Sequence, residues 1–124
     1  MIFITGGMAQ GKTSFAASFG LPVLDNLAQQ IKGWLAQGLD VDTALSAARA
    51  QLCERTAQSD TDTVSSDTAA QDCVIICDEI GCGIVPLAKE ERIWREVTGR
   101  TACRLAQEAT AVYKLEAGIP IRLK

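Results

Sequence analysis

Gly6-Gly7-Met8-Ala9-Gln10-Gly11-Lys12-Thr13 fits the pattern G-x-x-x-x-G-K-[ST], and no other stretch of the chain narrows its fold as much. At ordinary residue frequencies such a match arises by chance in roughly one of two hundred chains this long. Its setting sharpens it. The apolar run Ile2-Phe3-Ile4-Thr5 before it reads as a buried strand, and residues 13–19 after it as a short helix closed by Gly20 and Pro22. Gly6 and Gly11 let the backbone turn its N–H groups inward as an anion nest. The helix start near Lys12 adds a positive dipole end. Lys12 is spaced to reach β- and γ-phosphates, and the Thr13 hydroxyl to ligate Mg²⁺. The pattern predicts a nucleoside-triphosphate site along Gly6 to Ser14, taking ATP or GTP with Mg²⁺.

The remaining chain alternates strand and helix signals. Val23-Leu24-Asp25 reads as a brief strand. Leu27, Ile31, Trp34 and Leu35 then form the stripe of an amphipathic helix that stops at Gly38. Asp40 or Asp42 caps a further helix carrying Val41, Leu45, Ala48 and Leu52 on one side. Residues 59–72, four aspartates among Ser, Thr and Ala with Val64 as the one large apolar residue, read as a mobile polar loop. The continuous apolar run Cys73-Val74-Ile75-Ile76-Cys77 has the character of a strand buried on both faces. A helix from about Lys89 to Glu108 follows, with Ile93, Trp94, Val97 and Leu105 as its apolar stripe. Two alternating segments joined at Ala117-Gly118 predict a C-terminal β-hairpin. The whole predicts an α/β fold of the P-loop NTPase type, a mostly parallel sheet flanked by helices, with 1–124 as a single nucleotide-binding domain.

Composition excludes several chemistries. The chain has no histidine, which removes histidine acid/base work, His-containing zinc sites and any phospho- or nucleotidyl-histidine intermediate. A net charge of −3 gives no basic field for nucleic acid. No apolar run approaches the roughly 20 residues of a membrane span. Five cysteines without a CxxC pair read as reduced structural thiols. Cys73 and Cys77 share a strand face about 13 Å apart, too far to bridge or share one ion. A cytoplasmic location is expected.

A P-loop needs a carboxylate for its metal, and acids stand after two of the expected strands. Asp78-Glu79 follow the longer apolar run and fit the form best. Asp25 follows only Val23-Leu24, and by pattern alone reads better as a helix cap ahead of Leu27. Both can serve, because ligands in open α/β sheets gather at the carboxyl ends of strands.

Asp78-Glu79-Ile80-Gly81-Cys82-Gly83-Ile84-Val85-Pro86 resembles the N-E-V-G-x-G-I-V-P motif of the adenosylcobinamide kinase/adenosylcobinamide-phosphate guanylyltransferase family, the bifunctional enzymes that assemble the nucleotide loop of cobalamin. The likeness continues through Arg92, Trp94-Arg95-Glu96, Gly99-Arg100 and Arg104-Leu105 to Ala117-Gly118-Ile119-Pro120-Ile121-Arg122-Leu123-Lys124. Thr5 to Thr13 is similar to that family's P-loop, and Val23-Leu24-Asp25-Asn26-Leu27 to its V-D-C-L-T strand. The resemblance implies that Asp25 belongs to the magnesium site ahead of Asp78, with Glu79 at the same mouth as base or orienter. In a sheet of the expected RecA-like order, the Cys77 strand lies between the P-loop strand and the Asp25 strand. Lys12 and Glu79 become the expected catalytic residues, and Thr13, Asp25 and Asp78 the expected metal ligands.

The departures carry information too. Family members are longer, and the stretch absent between Phe19 and Pro22 bears the family's guanylyl-accepting histidine. The family's Asn before Glu is Asp78 here, and its Asn-Gln after Gly-Arg is Ala102-Cys103. The expectation is phosphoryl transfer to a corrinoid hydroxyl, with cobinamide as partner and the guanylyl-transfer half lost. Alternatives are a non-catalytic nucleotide-binding remnant and a small NTP hydrolase. Shortening should expose an apolar edge, so a homo-oligomer is expected. Arg92, Arg95, Arg100 and Arg104 read either as a solvated face with intrahelical ion pairs or, for Arg95 and Arg100, as phosphate or partner contacts.

Overall fold

A computed structural model describes residues 1–59, 73–81 and 84–124. Its elements in chain order are β1 (Ile2–Gly6), α1 (Lys12–Ala17), β2 (Val23–Leu24), α2 (Leu27–Ala36), α3 (Val41–Ser59), β3 (Val74–Asp78), α4 (Lys89–Glu108), β4 (Ala111–Glu116) and β5 (Ile119–Arg122). They form one five-stranded sheet in the order β2-β3-β1-β4-β5. β3 lies between β1 and β2 as expected, all three running parallel, and β1 also pairs in parallel with β4. Only β5 is antiparallel, joined to β4 by the expected hairpin. The expected mobile loop lies, beyond Ser59, outside the described residues, as do Cys82 and Gly83.

Side chains alternate across the central strands and divide the core in two. Phe3, Cys73, Ile75, Cys77 and Val112 face α2, α3 and α4, where Leu27, Ile31, Leu45 and Leu105 complete the larger cluster. Ile4, Val74, Ile76 and Leu115 face α1 and pack on Ala16, Phe15 and Phe19. Edge-to-face contacts of Phe15 with Phe19 and with Tyr113, each 5.1 Å between centroids, bind α1 to β4. Continuous burial from Cys73 to Cys77 follows from covering on both faces.

Local chemistry settles two further points. Asp40 caps α3, its Oδ2 accepting from the Thr43 backbone N–H at 3.1 Å and from the Thr43 hydroxyl at 2.8 Å. Asp42 sits in the first turn and pairs with Arg104 of α4 instead. The stripe of α4 differs from expectation. Ile93 is 40% exposed, while Thr98 and Thr101 are buried. The helix is rotated so that Trp94 can donate Nε1–H to the Ala28 carbonyl of α2 at 2.7 Å. At the sheet edge all four residues of β5 are exposed, Ile119 by 64%.

Truncating Ile31→Ala should cost about 3 kcal/mol in urea unfolding, since a fully buried side chain leaves a cavity under α2. Ile119→Ala on the open edge should shift stability by no more than about 0.5 kcal/mol. Burial, then the Asp78 charge, push the Cys77 thiol from 9.0 up to about 12. Above pH 9.0 the unfolded thiol ionises while the folded one keeps its proton, so stability should fall as pH rises from there toward about 12. Cys77→Ala, measured by the same unfolding series, should lose that part of the alkaline slope.

Candidate functional site

β1 hands the chain to the phosphate loop through Gly6, where φ is +147° and a Cβ would stand 2.6 Å from the Leu115 carbonyl oxygen of β4. No side chain fits there without displacing backbone. The loop then turns with Ala9 at φ 58° and Gly11 at φ 86° before α1 begins at Lys12. The β4–β5 turn braces it from outside. The Ala117 N–H donates to Gln10 Oε1, and a Cβ on Gly11 would lie 3.7 Å from Gly118 Cα. Nothing in the sequence pattern of either segment signals that contact, because it joins residues 107 positions apart.

Residues 8–14 line a hollow of about 200 Å³ together with Asp25, Asn26 and Asp78. Lys12 is 6% exposed and reaches back over the loop, donating to the Gly7 carbonyl and pairing with Asp78 Oδ1 at 2.7 Å. Thr13 Oγ1–H donates to Asp25 Oδ2 at 3.1 Å. Asp25 Oδ1 accepts from the Asn26 N–H at 2.7 Å. Asn26, at φ 54°, makes the sharp entry into α2 that leaves Asp25 facing the loop. It lines the hollow, and the sequence pattern did not single it out. Asp25 therefore does not cap α2 with its side chain in the expected way: Asn26 holds the cap position, and no side-chain cap bond is made there.

Asp78 and Glu79 are neighbours in sequence but diverge, since successive residues at a strand end point to opposite sides. Asp78 meets Lys12 in the hollow. The Glu79 carboxylate stands 3.6 Å from Lys114 Nζ, outside the residues that line the hollow. Hydrogen bonding to Glu116, then the Glu79 and Glu116 charges, hold Lys114 above its usual pKa. Glu79 borders a second cavity of about 380 Å³ between α4 and the sheet, and Asp78 borders both. Thr98, 2% exposed, lines that cavity too, and its hydroxyl has no hydrogen-bond partner among the described residues.

The arginines of α4 divide by partner. Arg100 makes the expected intrahelical pair, with Glu96 Oε1 at 2.6 Å. Arg95 donates to the Ile84 carbonyl at 3.0 Å and to that of Gly81, and Arg92 to the Leu87 carbonyl at 2.6 Å. They hold the backbone carbonyls of Gly81, Ile84 and Leu87, a role that charge spacing on the helix could not reveal.

The donors brought together suit a magnesium ion. Thr13, Asp25 and Asp78 offer a hydroxyl and two carboxylates, all hard oxygens. Among the described residues no group of three or more His, Cys, Asp or Glu side chains could hold a metal by itself. No helix among the described residues is long and apolar enough to cross a membrane.

A family model described as cobinamide kinase / cobinamide phosphate guanyltransferase matches residues 23–123. The match takes in Asp25, Asp78 and Glu79 and begins beyond the phosphate loop. A comparison with curated proteins returned no match. The family assignment agrees with the mostly parallel sheet flanked by helices and its C-terminal antiparallel pair. The chain belongs to the cobinamide kinase / cobinamide phosphate guanyltransferase family.

Proposed function

We propose that this protein transfers a phosphoryl group from ATP or GTP to a hydroxyl of cobinamide, and that it has lost guanylyl transfer. One observation carries the reading: a lysine only 6% exposed, on a phosphate loop, shares a hollow with Thr13 and two carboxylates. Lys12 is the group that would meet the β- and γ-phosphates and offset charge gathering on the transferring oxygens. Backbone N–H groups of residues 8–14 would cradle the remaining phosphates. Thr13, Asp25 and Asp78 are the residues that would hold Mg²⁺, which when bound neutralises phosphate charge and aligns the transferring group.

Glu79 serves in this reading from the second cavity, accepting a hydrogen bond from the acceptor hydroxyl and orienting it toward the hollow. Support comes from Asp78 bordering both spaces, which leaves them adjacent. The loss of guanylyl transfer rests on the absence of histidine, since no other residue here matches the family's guanylyl acceptor. A cytoplasmic homo-oligomer is part of the same proposal, supported by the exposed apolar side chains of β5 and by Ile84 and Leu87.

Purified protein should form phosphocobinamide from Mg-ATP or Mg-GTP, and Lys12→Ala should lower turnover by about a thousandfold, as removal of a transition-state charge stabiliser does. The protein should form no guanylylated intermediate with labelled GTP. Nucleotide binding without product under any condition would instead leave a binding module, and hydrolysis indifferent to cobinamide an NTP hydrolase.

A further inference from the structure

We propose that Asp78 competes with nucleotide phosphate for Lys12, so that phosphate gains the lysine only when a divalent cation takes over Asp78. This rests on the reading of the hollow as a magnesium–nucleotide site and adds an order of dependence to it. An ammonium has three donors. Lys12 commits one to the Gly7 carbonyl and one to Asp78 at 2.7 Å, and its side chain is 6% exposed. Little of its donor capacity is left for a phosphate that arrives alone.

The two acids of the hollow are held differently. Asp25 accepts from the Thr13 hydroxyl and from the Asn26 N–H, so its charge keeps two donors whatever Lys12 does. Asp78 is 23% exposed on its side chain, and among the described residues Lys12 is the one cation within ion-pair distance of it. When Lys12 turns to a phosphate, Asp78 is left as a partly buried carboxylate facing added negative charge. Such a group needs a new counter-ion. A divalent cation would supply one, and Asp25 and Thr13 line the same hollow as Asp78. Nucleotide and cation binding are then strongly cooperative, and by linkage each raises the affinity for the other by the same factor.

The test measures ATP and GTP dissociation constants by titration calorimetry, in EDTA and in magnesium, for the native protein and two variants. Native protein should bind at least about a hundredfold more tightly with magnesium. Asp78→Asn keeps the shape and an oxygen acceptor for Lys12 but removes the competing charge. It should bind magnesium-free nucleotide about tenfold more tightly than native protein, and its magnesium-dependent gain should shrink. Asp25→Asn should gain clearly less in EDTA, because Asp25 does not hold Lys12. Unchanged magnesium-free affinity in Asp78→Asn, or an equal gain in Asp25→Asn, would overturn the proposal while leaving the nucleotide site intact. Native protein that binds no nucleotide even with magnesium would overturn the site reading and this proposal together. Should Asp78→Asn fail to fold, Asp78→Ser repeats the test, since it also leaves Lys12 an oxygen.

Discussion

The parallel pairing of β1 with β3 on one side and β4 on the other fixes everything at the candidate site. In that register Gly6 lies opposite Asp78 and opposite Leu115. The first alignment carries the phosphate loop past the carboxylate that pairs with Lys12. The second brings the Leu115 carbonyl so close to Gly6 that only glycine can stand there. A slip of one residue would turn every strand side chain to the other face. It would bury polar groups in both halves of the core and remove Asp78 from the hollow. The hydrophobic pattern that makes β3 a central strand therefore also places its terminal acid.

Around this register the protein builds a site with opposed charges in a small space. Lys12, Asp78 and Asp25 meet within a hollow of about 200 Å³. Lys12 can be buried because its charge is paired and its hydrogen atoms have acceptors. The brace from the β4–β5 turn onto Gln10 ties the loop to the hairpin, so the edge strand supports the loop even though its own side chains are exposed. α4 contributes differently. Its Arg92 and Arg95 grip the backbone carbonyls of Leu87 and Ile84, and its Trp94 bonds to α2.

Much of this was legible in the chain. The bounds of α4 and the alternation of strands and helices follow from local periodicity. The phosphate loop follows from glycine and lysine spacing, and the strand order from the RecA-like fold class that the loop implies. Where the reading missed, a distant partner had decided. Ile93 was expected inside and stands 40% exposed, because the Trp94–Ala28 bond sets the rotation of α4. Pattern alone suits Asp25 to a helix cap and the family resemblance to the metal site; its carboxylate accepts from the Thr13 hydroxyl at 3.1 Å. Asp78 and Glu79 pair with different lysines, Lys12 and Lys114, although both border the second cavity.

The sequence by itself determined which segments become strand and helix, which of them are covered on two faces, and that a loop with an anion nest follows β1. Those properties depend on residues within a few positions of one another, through backbone preference and hydrophobic period. Only the tertiary structure decided which carboxylate meets Lys12, which lysine Glu79 faces, and what holds the loop from outside. Each of these depends on groups that chain folding brings together from far apart, as Lys12 and Asp78 are, or Gln10 and Ala117. No local pattern encodes such contacts, because the distance that matters to a charge or a hydrogen bond is measured in space.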